Sequence, residues 1–173
     1  PIAGAGVTFT SAATDSDGTI VSYSWDLDGD GVFGDGSAAA TGATVTHTFP
    51  AGAWTVTLTV DEAPIPPATA PAAATTTVSR AITANTRPVA RFTWTPPFPI
   101  AGAGVTFTSG STDGDGTIVG YSWDLDGDGA MDTSSGTTPT LQHAFSKGTQ
   151  YLTVRVTDDR GAKAYANAAV NVR

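Results

Sequence analysis

DGDGTIVGYSWDLDGDG, residues 113–129, repeats DSDGTIVSYSWDLDGDG, residues 15–31, with Ser16 and Ser22 replaced by Gly114 and Gly120. In its middle, Val21, Tyr23, Trp25 and Leu27 alternate with small or acidic residues, and Val119, Tyr121, Trp123 and Leu125 do the same. A period of two is the mark of a strand with one buried face. The pattern therefore predicts that Tyr23, Trp25, Tyr121 and Trp123 point inward together with the Val and Leu of the same parity. Asp and Gly crowd both ends of the run, where tight turns are expected.

The repeat extends outward in both directions. PIAGAGVTFTS, residues 1–11, recurs unchanged at 99–109 in the same register. HTF at 47–49 answers HAF at 143–145, and WTVTLTV at 54–60 answers QYLTVRV at 150–156, now with the register shifted by two residues. The loop after the aspartate run is thus shorter in the second copy, a place where length changes cost little. The second copy also opens with RPVARFTWTPPF, residues 87–98, which has no counterpart before Pro1. The copies are assigned to residues 1–86 and 87–173, and the first is expected to lack its first strand. Beginning at Pro1, without an initiator Met, the chain reads as part of something longer.

Val7 and Phe9, and then Val56, Leu58 and Val60, alternate with threonines, and no stretch holds helical spacing for three turns. The fold class is all-β: two tandem immunoglobulin-like β-sandwiches of about seven strands each, with Trp25 and Trp123 on a central strand. With 40% hydrophobic and 14% charged residues the chain is expected to be folded. It has no cysteine, so packing or bound ions must hold it together in place of disulfides. A net charge of -8 argues against nucleic acid and against an anionic membrane surface as partners. No run is long and apolar enough for membrane insertion.

The acids fall in turns or at strand ends. Asp15 and Asp17 come first, then Asp26, Asp28, Asp30 and Asp35, then Asp61 and Glu62; the second copy answers with Asp113, Asp115, Asp124, Asp126, Asp128, Asp132, Asp158 and Asp159. The D-x-D-x-D-G spacing sets Asp26, Asp28 and Asp30, and likewise Asp124, Asp126 and Asp128, around a turning backbone that suits a hard cation. Calcium at these residues, with Asp132 added to the second set, is one reading. Against it, Ser37 and Ser135 stand where a helix–loop–helix calcium site carries its bidentate Glu. The other reading is that Asp-Gly pairs simply make tight, solvated turns.

Catalysis has little to work with, and no catalytic residue is assigned. His47 and His143 fall on expected strands, as packing residues, and the serines and threonines are scattered. A glycosidase pair needs one carboxyl in an apolar cleft, which Gly-rich loops do not provide. Trp54, Trp94, Phe33 and Phe98 are candidates for stacking on sugar rings. Yet Trp54 shares the parity of Val56, and Trp94 that of Phe92, so both tryptophans are expected to cap the core.

Four motifs in order carry a family resemblance: PVARF at 88–92, D-x-D-G-x-I-x-x-Y-x-W-D at 15–26 and 113–124, the H-x-F of His47 and His143, and G-x-x-x-L-x-V-x-V-x-D at 148–158. Each copy resembles a polycystin-type (PKD) domain. The resemblance implies a seven-stranded sandwich found as an extracellular or cell-surface repeat. It implies a non-catalytic spacer, structural or adhesion module whose partners are other domains of the same parent chain or a surface assembly. An alternative is a polysaccharide-binding accessory module of a secreted hydrolase. Two departures stand out: the usual WDFGDG is WDLDGDG here, and residues 63–74 form a Pro/Ala-rich insert expected to alter the closing edge of the first copy.

Overall fold

A computed structural model describes residues 1–16, 18–34, 41–63 and 74–173. They form two compact units, Pro1–Ala84 and Asn85–Arg173. Unit 1 contains β1 (Gly6–Thr10), β2 (Ile20–Asp26), β3 (Thr44–Thr48), β4 (Gly52–Glu62) and β5 (Thr75–Ala84). Unit 2 contains β6 (Phe92–Thr95), β7 (Gly104–Ser109), β8 (Ile118–Asp124), β9 (Thr133–Gly136), β10 (Thr140–Ala144), β11 (Gly148–Asp158) and β12 (Lys163–Val172). No helix occurs among the described residues, and none is therefore long and apolar enough to cross a membrane. The chain is all-β, two tandem β-sandwiches, as its periodicity predicts.

In unit 2 one sheet has the order β10-β7-β6 and the other β12-β11-β8-β9, every pair antiparallel. Unit 1 repeats this as β1-β3 and β2-β4-β5. The strand that answers β6 is not among its described strands, and the place of β9 falls on residues 35–40, outside the described residues. The insert expected to alter the closing edge also lies outside them at 64–73. On its flanks the Ala74 N–H donates to Glu62 Oε1 at 2.9 Å.

Alternate side chains from the two sheets meet between them. Val105, Phe107, Trp123, Val154 and Val156 are wholly buried, and Phe92 closes over this cluster with its ring 5.7 Å from that of Trp123. In unit 1, Trp25, Val45, Phe49, Val56 and Leu58 form the matching cluster. Burial on this scale drives the fold, at about 25 cal/mol per Å² of apolar surface.

One expectation is corrected. Tyr23, Trp25, Tyr121 and Trp123 do pack on their cores, but Val21 and Val119, of the same parity, are 62% and 45% exposed. The cause is a β-bulge in each copy. Ile20 pairs with Glu62 and Ser22 with Asp61, which leaves Val21 as the extra residue; Ile118 and Gly120 pair with Asp158 and Thr157, which leaves Val119. An extra residue resets the alternation, so Ile20 and Ile118 take the inward places instead.

Candidate functional site

The aspartate loops begin where β2 and β8 end. Asp124 is 2% exposed, and its two carboxylate oxygens accept the N–H groups of Gly127 at 2.7 Å and Gly129 at 3.0 Å. Asp126 Oδ1 accepts from Asp128 N–H at 3.1 Å, and Asp128 Oδ1 from Ala130 N–H at 2.7 Å. The first copy reproduces each bond: Asp26 to Gly29 and Gly31, Asp28 to Asp30, Asp30 to Val32. The loop follows from its glycines. Gly127 and Gly129 adopt φ of 78° and 90°, which other residues resist. A Cβ at Gly127 would also stand 3.1 Å from the Tyr151 carbonyl oxygen.

Asp26, Asp28 and Asp30 each present a carboxylate oxygen within 4.8 Å of the others, and so do Asp124, Asp126 and Asp128. Only oxygen donors converge, which fits a hard cation such as calcium. An oxygen that accepts one N–H keeps a second lone pair for a metal. The same bonds also close a turn unaided. Asp132 stands outside the trio, its Oδ2 accepting the Leu125 N–H at 2.6 Å.

A second group of acids, Asp113, Asp115, Asp158 and Asp159, gathers at the other end of β8. Asp158, 1% exposed, accepts from Asn85 Nδ2 at 2.9 Å and from the Ala162 and Arg160 N–H groups at 2.7 and 3.0 Å. Burial pushes its pKa up, but the Asn85, Ala162, Arg160 and Gly161 bonds together outweigh that and hold the carboxyl below its ordinary range. Asp115 pairs with Arg160 at 2.8 Å and accepts from Thr86 N–H. Asp113 differs: both its carboxylate oxygens are closed off from solvent and have no hydrogen-bond partner. A Cβ placed on Gly116 would strike Asp159 Oδ1 and stand 2.7 Å from Asp113 Oδ2, so the two oxygens flank one small space. Sandwich topology places Asp113, Asp115, Asp158 and Asp159 at one pole of the second copy from the sequence alone; the hydrogen bonds of Asp158 and Asp115 and the closeness of Asp113 to Asp159 are products of tertiary pairing. Asp17 and Asp35 lie outside the described residues.

The histidines serve packing. His47 and His143 set their rings 4.6 and 4.5 Å from Phe49 and Phe145. Trp54 and Trp94 pack against their cores as expected, while Phe33 and Phe98 are exposed, the latter beneath the Arg173 guanidinium at 4.7 Å. Two exposed aromatics were not foreseen. Tyr151 and Tyr165 are 64% and 59% exposed on the outer face of β11 and β12, where Tyr151 pairs with Ala169, Thr153 with Asn167 and Arg155 with Tyr165. Unit 1 carries Thr55, Thr57, Thr59, Ala81, Ser79 and Thr77 at these places. Period-two reading passed over both tyrosines, since it looks for the inner face.

Among solved structures, a carbohydrate-binding module from the β-sandwich superfamily is 38% identical over 51% of this chain, with a TM-score of 0.46. This chain covers only 35% of that one, about a third of its length. The PKD1 domain of Vibrio anguillarum Epp is 29% identical over 51% of this chain and 96% of its own, TM-score 0.42. The fibronectin(III)-like modules of Clostridium thermocellum CbhA match 98% of this chain and 85% of theirs at 14% identity and a TM-score of 0.50, a likeness of fold alone. Residues 2–64 and residues 85–172 each match the PKD domain, and together they take in most of the sequence. With both sandwiches, their strand order and their motifs accounted for in this way, the chain belongs to the PKD domain family.

Proposed function

We propose that this chain is a non-catalytic extracellular module of a longer protein, acting as a spacer, structural or adhesion element whose acidic loops bind calcium. The observation that carries the reading is the agreement of the copies. Asp26, Asp28 and Asp30 keep the same hydrogen bonds and the same convergence of oxygens as Asp124, Asp126 and Asp128. Clustered carboxylates repel, and a cation in their midst removes that cost. The partnerless Asp113 carboxylate beside Asp159 supports a further calcium position in unit 2. PKD domains are generally non-catalytic and extracellular, and the described histidines of this chain are engaged in packing.

Thermal unfolding tests the reading. A ligand at a hundredfold excess over its Kd adds about 2.7 kcal/mol, so calcium should raise the midpoint over a chelator. Asp28→Asn with Asp126→Asn should shrink the rise, and Asp113→Asn should shrink it for unit 2 alone. Superimposable melts with calcium and with chelator would leave the loops as turns only.

A second reading, contact with a polysaccharide, is favoured by the outer face of unit 2. Tyr151 borders a groove of about 520 Å³ lined by Asp124, Thr153 and Asn167. An aromatic platform beside hydrogen-bonding groups suits a pyranose ring. Pull-down on insoluble chitin, cellulose and starch tests it: retention lost in Tyr151→Ala and Tyr165→Ala supports it, and no retention of the unaltered chain discards it.

A further inference from the structure

The long strands β4 and β11 share their inner faces and differ on their outer ones. Val56, Leu58 and Val60 answer Leu152, Val154 and Val156, all of them buried. On the outer face, the cross-strand pair of Thr59 with Thr77 in unit 1 becomes Arg155 with Tyr165 in unit 2. At the next place, Asp61 with Thr75 becomes Thr157 with Lys163. Charge divides in the same way. Each copy holds eight acids, whereas seven of the eight Lys and Arg fall in residues 87–173 and only Arg80 in the first copy.

Nothing in the fold requires this change. In unit 1 the Thr59 and Thr77 hydroxyls bond to each other at 3.3 Å, so that pair is satisfied by itself. Arg155 is half-buried and gains less: Nη2 donates to Ser122 Oγ at 3.1 Å, while Nε is closed off from solvent with no partner. Among the described residues Nη1 has no partner either, and no carboxylate lies within ion-pair distance. A charged donor left desolvated and unpaired weakens a fold, and a residue kept at such a place points to binding. The exposed Tyr165 stands on the β12 side of Arg155 with no guanidinium over its ring, since the one such stack among the described residues is Arg173 on Phe98. Lys163 is exposed at the next place on this face, and Arg87 Nη1 donates to its carbonyl oxygen at 3.2 Å, which brings a third cation to this end of β12. The neighbouring acids turn elsewhere: Asp124 to the Gly127 and Gly129 N–H groups, Asp158 to Asn85, and Asp159 to the Thr117 N–H.

We propose that this outer face of unit 2 binds an acidic polysaccharide, a chain of uronate rings, with Arg155 on a ring carboxylate, Tyr165 against a ring face, and Lys163 and Arg87 on neighbouring carboxylates. The inference rests on the polysaccharide reading above and names the class of glycan. Three cations around one exposed aromatic ring complement a polymer that carries a carboxylate on every sugar. The Nη1 and Nη2 fork of a guanidinium takes a carboxylate through two parallel N–H bonds, and a tyrosine takes the apolar side of a pyranose. Tyr151 lies on the same face four residues before Arg155, about 14 Å away along β11 at the rise of a strand. An oligomer of several rings covers both places.

Unit 1 supplies the variant for the test. Calorimetric titration in the presence of a chelator, which removes any calcium bridge, uses hexamers of galacturonate, mannuronate and guluronate and the methyl ester of each. The unaltered chain should bind at least one acid hexamer, and should bind its ester about tenfold or more weakly. Added salt should weaken the binding. Arg155→Thr with Tyr165→Thr installs the pair around which unit 1 already folds. It should melt at the temperature of the unaltered chain or above, and lose about tenfold or more in affinity. Thr59→Ala, on the outer face of unit 1, should lose none. If no acid hexamer binds, if ester and acid bind alike, or if the Thr variant binds as the unaltered chain does, the proposal is overturned. Retention on chitin, cellulose or starch would then leave polysaccharide contact standing without the uronate, and retention on none of them removes both readings. Sedimentation completes the test: a dimer that the Thr variant breaks would mean that this face pairs copies of the chain, which also overturns the proposal.

Discussion

Trp123 and Val119 lie on one strand at the same parity, and their environments are opposite. The Trp123 ring is fully buried, and its Nε1 donates to Ser135 Oγ at 3.2 Å; Val119 is the bulged residue and 45% exposed. Trp123→Ala should therefore cost on the order of 3–5 kcal/mol, while Val119→Ala should stay within about 0.5 kcal/mol. Denaturant titration measures both, and comparable losses would mean that the bulge is misplaced. Asp158 offers a second handle at this scale. Its folded pKa is lowered, so the stability it contributes is present above the ordinary carboxylate value of about 4 and is lost as pH falls through the lower folded value. Asn85→Ala removes one donor to the charged form. At neutral pH it should cost about 1.5–3 kcal/mol, and the gap from the parent should narrow in acid. A gap independent of pH would show that Asn85 acts through packing alone.

Strands and loops show how far the sequence could be read. Alternation located the strands that it could see, because a half-buried strand writes its period directly into residue types. It missed the bulges because an inserted Val resembles any other strand residue, and only the pairing of Ser22 with Asp61 and of Gly120 with Thr157 exposes the extra residue. The aspartate loops were legible for a similar reason: Asp and Gly at fixed offsets close local hydrogen bonds, so all partners lie within five residues. Asp113 and Asp159 were legible only as acids at one pole of the second sandwich, which topology supplies; that they flank one space depends on two elements meeting. The loop after β8 carries its own prediction. Gly127→Ala places a Cβ 2.9 Å from that of Tyr151 at a φ of 78°, a strain on the order of 1–3 kcal/mol. Gly114→Ala meets nothing within 4 Å and should be neutral. Thermal melts of the two variants should separate clearly.

Across the whole molecule, two copies built from nearly the same residues differ in how completely they close. β4 and β11 have the same length, and their central residues share one burial pattern. Yet the sheet facing β11 has three strands, and among the described residues the one facing β4 has two. Amide exchange at Val56, Leu58 and Val60 should therefore be faster than at Leu152, Val154 and Val156, by about tenfold or more under native conditions. Equal rates would indicate that the third strand adds no stability.

The ten pairs between β11 and β12 also fix how unit 2 answers a pull. Its first residue, Asn85, is tied to Asp158, next to the pair of Thr157 with Lys163; its last strand ends at Val172, opposite Gly148 at the far end of the same ladder. Tension applied between Asn85 and Arg173 thus runs along β12 and loads its hydrogen bonds side by side, in shear. Peeling them one after another would require both points of attachment at one end. The unit should accordingly behave as a force-bearing link, and single-molecule stretching should give a higher rupture force through residues 85 and 173 than through residues 148 and 173. Equal forces in the two geometries would show that the ladder does not carry the load.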